Sequence, residues 1–265
     1  VLNGTLDPTT LATSGLNYGI LPFDNTSSSN GSWTNTTSDA TFTTSTAVGY
    51  AMAMSTAGTV AFTGVPNTYT NTNVTITNNS LNDGSGTHWN LVANPFPSFI
   101  NANDDADASN NFLTVNPSDL HSSYVAIYAY DGDGTFTAIN HTNPGSAVYI
   151  APGQGFFVAS DDASGDSVSF TEAMQTSSGS DDFISGDNME NTEVVNKLFN
   201  GDNELDSTKL FFDEGLTLGL DPGYDAGHFD DNAPMMTRLV EDDAGYGMAI
   251  NACLLYTSPS PRDRG

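Results

Sequence analysis

Apolar residues recur along this chain in short alternating runs, each closed by glycine, asparagine or proline. Gly49-Tyr-Ala-Met-Ala-Met54 and Gly58-Thr-Val-Ala-Phe-Thr63 flank a small-residue turn, which is a hairpin signal. Asn73-Val-Thr-Ile-Thr77 sets Val74 and Ile76 on one face of a further strand. His88-Trp-Asn-Leu-Val-Ala93 predicts another, stopped by Asn94-Pro-Phe-Pro97, because prolines so spaced cannot continue a ladder. Strands resume at residues 124–130, 135–139, 147–150, 155–158 and 167–170. With turn chemistry between them, these runs predict an all-β fold, an antiparallel β-sandwich or jelly roll over 47–173. No helical period appears.

The flanking regions read differently. Residues 1–46 are rich in Thr, Ser, Asn and Gly, which favour turns, and are expected to complete a β region begun upstream. Residues 101–122 form a polar excursion anchored by Phe112, Leu113 and Val115. A Ser/Asp/Gly-rich linker is predicted over 174–193, and 194–252 read as the first part of a truncated second β module. There is an internal echo: Gly49 to Thr63 resembles Gly155 to Thr171, each a Gly-aromatic strand followed by a strand ending in Phe-Thr.

The tail changes the composition. Cys253-Leu-Leu-Tyr-Thr-Ser-Pro-Ser-Pro-Arg-Asp263 resembles the translation of a transposase-type sequencing adapter, so 253–265 are expected to be read-through in a metagenomic fragment. Without them, three basic residues (Lys197, Lys209, Arg238) stand against 31 acidic ones, a net charge of −28. The single cysteine also goes, which removes thiol and disulfide chemistry. Such acidity repels nucleic acid and anionic membrane, and it calls for screening by salt or bound divalent cations. No stretch approaches the roughly 20 apolar residues of a membrane-spanning helix. The chain opens at Val1 with neither a charged nor an apolar leader region, so any export signal is expected upstream.

Trp89-Asn-Leu-Val-Ala-Asn-Pro-Phe-Pro-Ser98, Ile150-Ala-Pro-Gly-Gln-Gly-Phe-Phe-Val158 and Phe170-Thr-Glu-Ala-Met174 together resemble a β module of large secreted Bacteroidetes proteins. Glu214-Gly-Leu-Thr-Leu-Gly-Leu-Asp-Pro-Gly-Tyr-Asp-Ala226 is similar to the segment that usually follows it. Ala93 and Phe96 stand where that family has Gly and Tyr. The resemblance implies export by the type IX system through a C-terminal sorting domain, and a secreted or outer cell-surface location. It implies no reaction, because such modules flank unrelated functional domains.

The candidate chemistry is sparse. Asp221-Pro-Gly-Tyr-Asp-Ala-Gly-His-Phe-Asp-Asp231 offers Asp221, Asp225, Asp230 and Asp231 as oxygen ligands for Ca²⁺ on a glycine-rich loop; a solvated acidic turn is the alternative. Asp131-Gly-Asp-Gly134 opens like a calcium loop but lacks its later ligands, so a tight turn is expected. Asn103 to Asp107 can also supply oxygens, or be plainly exposed. Trp89, Phe96 and Phe99 can form a stacking platform for sugars, although their strand and proline context favours packing roles. His88, His121, His141 and His228 are scattered and match no hydrolase or phosphate-binding motif.

The expected function is therefore a non-catalytic secreted or surface β module acting as spacer, adhesion or glycan contact, stabilised by Ca²⁺. Its partners are extracellular glycans or surface proteins. The alternative is the accessory C-terminal region of a polysaccharide-degrading enzyme with its catalytic domain upstream.

Overall fold

The Trp89-Asn-Leu-Val-Ala93 alternation becomes an edge of the central sheet. In the computed structural model, which describes residues 2–254 except 30, 38–40, 58, 69, 84–85, 131–135, 142–146, 180–192, 214 and 231, four antiparallel strands run in the order Trp89–Ala93, Gly155–Ala159, Ile127–Tyr130, Phe136–Ile139. The register sets Leu91 opposite Phe157 and Phe157 opposite Tyr128. Side chains alternate across a strand, so Val92, Phe156, Val158, Ile127 and Ile139 share one face and Trp89, Phe157 and Tyr128 the other. Both faces are buried, which accounts for the unbroken apolar run from Phe156 to Ala159.

The first face packs on Asp166–Phe170 paired with Thr72–Ile76, and on Phe99–Asn101 between Tyr149–Ile150 and Gln175–Thr176. This is the sandwich core, with Phe96, Phe112, Phe156 and Phe170 fully enclosed. Phe112 and Leu113 of the polar excursion are buried in a short helix, Phe112–Val115, capped by Asn111 Oδ1 accepting from the Thr114 N–H at 2.8 Å. The fold is all-β and nearly all antiparallel, as the alternation predicts.

The hairpin expected over residues 49–63 is not formed. Tyr50–Met52 pairs with Ile20–Asp24, and Phe62–Pro66 pairs with Leu2–Leu6. The later copy of the echo behaves alike, with Gly155–Ala159 and Asp166–Phe170 in different sheets. In both copies the two strands pair with segments remote in sequence and not with each other. Residues before 47 thus share sheets with residues after it, and Leu6, Leu11 and Ile20 form a small core with Phe42, Tyr50 and Phe62.

Near the C-terminus, Glu193–Asn200 and Asn203–Asp213 form a hairpin turned at Gly201, whose φ of 64° suits glycine. Asn203–Asp213 pairs in parallel with Met248–Leu254, which also pairs with Ala226–Gly227. Ala226, Ile250, Phe229 and Tyr246 pack on the second face of the central sheet with Trp89, Tyr124 and Tyr128. Tyr128 donates its hydroxyl to the Gly227 carbonyl at 2.7 Å. Most of the predicted linker and all of 255–265 lie outside the described residues. Among the described residues no helix is long and apolar enough to cross a membrane.

Candidate functional site

Asn94 ends the central-sheet edge strand where the two prolines forbid a ladder, and its side chain replaces the missing backbone pairing. It is fully buried; Nδ2 donates to the carbonyls of Ser98, Ile150 and Ala151 at 2.9, 3.1 and 3.0 Å, while Oδ1 accepts from the Phe96 N–H at 2.9 Å. Gln154 Oε1 accepts from the Ala151 N–H at 3.0 Å. The two most distinctive strings of the sequence thereby meet and fasten each other.

The acidic segment is divided by the fold. Asp225 has no exposed surface and accepts from two backbone N–H groups, Asp221 at 2.6 Å and Ala252 at 2.7 Å. Burial pushes its carboxyl up to about 6, against the pull of those two hydrogen bonds. Asp221 Oδ2 accepts from the N–H and hydroxyl of Thr217 at 2.8 and 3.0 Å. Asp230 is exposed and accepts from the Asn232 N–H at 2.9 Å, and Asp231 lies outside the described residues. Asp221 and Asp225 are therefore adjacent, each engaged by protein N–H groups, and Asp230 makes a turn of its own. Among the described residues no three His, Cys, Asp or Glu side chains converge as a metal-holding group.

Two histidines tie these turns down. The His141 N–H donates to the Gly223 carbonyl at 2.8 Å, its Nδ1 lies 3.0 Å from Asp104 Oδ1, and Asn140 Nδ2 donates to the Tyr224 carbonyl at 2.7 Å. The Asn103 to Asp107 excursion and the Asp221 to Asp225 turn, separate in sequence, thus meet at His141. His228 Nδ1 accepts from the Asp230 N–H at 3.2 Å, which leaves Nε2 to donate to Asp206 at 3.1 Å. The calcium-like opening at Asp131 to Gly134 lies outside the described residues.

A third group is aromatic. His88, tilted, and His121, edge-on, pack against Tyr124, with ring centroids 4.9 Å away in each case. Burial, and then the neighbouring His121, hold His88 down at about 4, while His121 is lowered by burial and uses Nδ1 to accept from the Ser123 N–H at 3.1 Å. Both imidazoles are neutral near pH 7, and His88 Nε2 is buried without a hydrogen-bond partner. His88 and Tyr124 in turn pack against Trp89 on the second face.

Of the proposed sugar platform, Trp89 and Phe96 are buried. Phe99 lines an open groove of about 380 Å³ with Pro97, Pro152 and Gln175. Among the described residues four exposed aromatics lie elsewhere, Phe199 and Tyr224 in the C-terminal segment and two on the central sheet's second face. Trp33 and Tyr130 are 42% and 56% exposed at the two ends of a contact series through Phe157 and Phe136. Trp33 was legible as a lone aromatic among hydroxyl residues, and Tyr130 as the last aromatic of a strand before a turn.

The family described as "Domain of unknown function (DUF8693)" matches residues 4–253. No curated protein and no solved structure matches the chain.

Proposed function

Since the chain belongs to the DUF8693 family, whose description assigns no activity, we propose from its own residues that it is a non-catalytic β module of a secreted or cell-surface protein, working as a spacer and glycan contact. The observation that carries this reading is the use to which buried polar side chains are put. Asn94, Asn116, Gln154 and Asp225 all direct polar atoms at backbone groups. Side chains so committed hold a shape and are not free to move protons on a substrate. Incubating the chain with soluble polysaccharides and measuring new reducing ends tests it; sustained turnover would overturn the reading.

Extracellular placement through a type IX route is supported by the resemblance of Trp89 to Ser98 and Ile150 to Val158, and by an acidity suited to salt water. The full reading frame tests it: a signal peptide upstream and a sorting domain downstream are expected. A catalytic domain upstream would make the chain the accessory region of a polysaccharide-degrading enzyme. Stabilisation by Ca²⁺ at the Asp221 to Asp231 segment is the remaining part of the proposal. It rests on Asp221, Asp230 and Asp231, because both Asp225 oxygens already accept N–H groups. A melting midpoint unchanged between Ca²⁺ and chelator would remove it.

A further inference from the structure

The second face of the central sheet is covered unevenly. Phe229 closes one side, stacking on Phe136 at 3.9 Å and on Trp89 at 4.4 Å. On the other side the Phe23 and Trp33 pair leans over Phe157, with centroids 4.9 Å (Phe23) and 6.2 Å (Trp33) from it. Phe136 lies 5.7 Å from Phe157 and 5.3 Å from Tyr130. Five rings thus form a continuous series of contacts, with Phe157 buried at its centre, an exposed aromatic at each end and partly exposed Phe23 and Phe136 between.

This series is fixed before any ligand arrives. Phe23 stands opposite Trp33 in the ladder, and the contacts Trp33 makes with Phe23 and Phe157 are edge-on. Gly31, at φ 71°, lies so close to Phe23 that a Cβ there would overlap the ring. Rigid rings lose little conformational entropy on binding.

We propose that this face, from Trp33 to Tyr130, binds an uncharged polysaccharide. The proposal rests on the glycan-contact reading above. The charge on the molecule selects the ligand class. The ion-paired cations among the described residues, Lys197, Lys209 and Arg238, all lie in the C-terminal segment, where they face Glu204, Glu193 and Asp243. An anionic glycan, lipid or nucleic acid would meet a chain of net charge −27, and among the described residues the ion-paired Lys and Arg side chains lie away from these rings. A neutral sugar chain meets neither obstacle. Its flat C–H faces fit the electron-rich faces of aromatic rings. Its hydroxyls match the turn that carries Trp33, built from Thr26, Ser27, Ser28 and Ser32, with Ser27 and Ser32 hydroxyls 2.6 Å apart.

Native electrophoresis of the full chain in gels containing hydroxyethyl cellulose, laminarin or galactomannan tests the inference. Retardation is expected in at least one gel. The Trp33→Ala and Tyr130→Ala variants should each weaken it, and the double variant should raise the apparent Kd about tenfold or more. Trp33→Phe, which keeps a ring, should retain most of the binding, and matching melting curves show that the fold survives. No retardation in any gel, or retardation unchanged in the double variant, overturns the proposal. So does an aromatic-dependent change of oligomeric state without retardation, which would assign the face to a second copy of the chain. Release of reducing ends from a retarding glycan would instead refute the non-catalytic reading while leaving the binding site standing.

Discussion

Replacing Asn94 by alanine should be among the most damaging single changes in this chain. The side chain serves four backbone groups, and its two Nδ2 hydrogens are shared among three carbonyls, so about three hydrogen bonds' worth of stabilisation is at stake. At about 0.5–1.5 kcal/mol for each bond, and more where a buried group is left unpaired, the loss is roughly 3–5 kcal/mol. For a chain of this size that corresponds to roughly 6–20 °C in melting midpoint. Asn94→Asp separates hydrogen bonding from packing, since it keeps the shape but turns an oxygen toward the Ser98, Ile150 and Ala151 carbonyls. At pH 7 it should lose at least as much as alanine; in acid, once protonated, it regains one donor and part of the stability. Urea unfolding of the three proteins at pH 7 and pH 4 measures this. An Asn94→Ala loss below about 1 kcal/mol, or an aspartate variant as stable as wild type at neutral pH, would refute the reasoning.

Three further outcomes are expected. The folded carboxyl of Asp225 lies at about 6, above its unfolded value, so it takes up a proton first as pH falls. Stability should therefore rise by an amount on the order of 3 kcal/mol between pH 6 and 4, and melting curves of Asp225→Asn should lack that component. His88 works in the opposite sense: it is held at about 4 in the fold, and the unfolded chain takes up its proton first below about 6.5. That loss in acid, again on the order of 3 kcal/mol, should vanish in His88→Phe, which also replaces an unpartnered buried nitrogen. Gly227→Ala would drive a methyl into the buried Tyr124 ring, and calorimetry should show a loss of about 1–3 kcal/mol.

The elements of the sandwich were legible because their apolar period is local. Val92 and Phe156 alternate with Leu91 and Phe157 in the sequence as they do across the sheet. The Asn-Pro-Phe-Pro corner announced itself by its prolines. Strand partnership was not legible, since Tyr50–Met52 and Phe62–Pro66 carry a generic hairpin signal and the Ile20–Asp24 and Leu2–Leu6 segments that claim them sit in Thr/Ser-rich surroundings. The acidic segment misled in a similar way. Nothing in Asp-Pro-Gly-Tyr-Asp distinguishes an exposed carboxylate from one enclosed by a strand 27 residues later, yet Asp225 binds the Ala252 N–H. Local composition reports solvent preference, and burial of a charge is decided by chain segments far away in sequence.

The parallel pairing of Asn203–Asp213 with Met248–Leu254 also bears on how the molecule is made. Met248–Leu254 is an interior strand, with Asn203–Asp213 on one side and Ala226–Gly227 on the other. During synthesis Asn203–Asp213 and Ala226–Gly227 must therefore keep a sheet edge open until the strand that starts at Met248 has been made. Until then Ile250 cannot reach Trp89 and Tyr128, and the aromatic face has one wall missing. Non-local pairing of this kind is slow and exposes sticky edges meanwhile. A strongly negative nascent chain repels its neighbours on the polysome, so the acidity of the chain would guard this vulnerable interval.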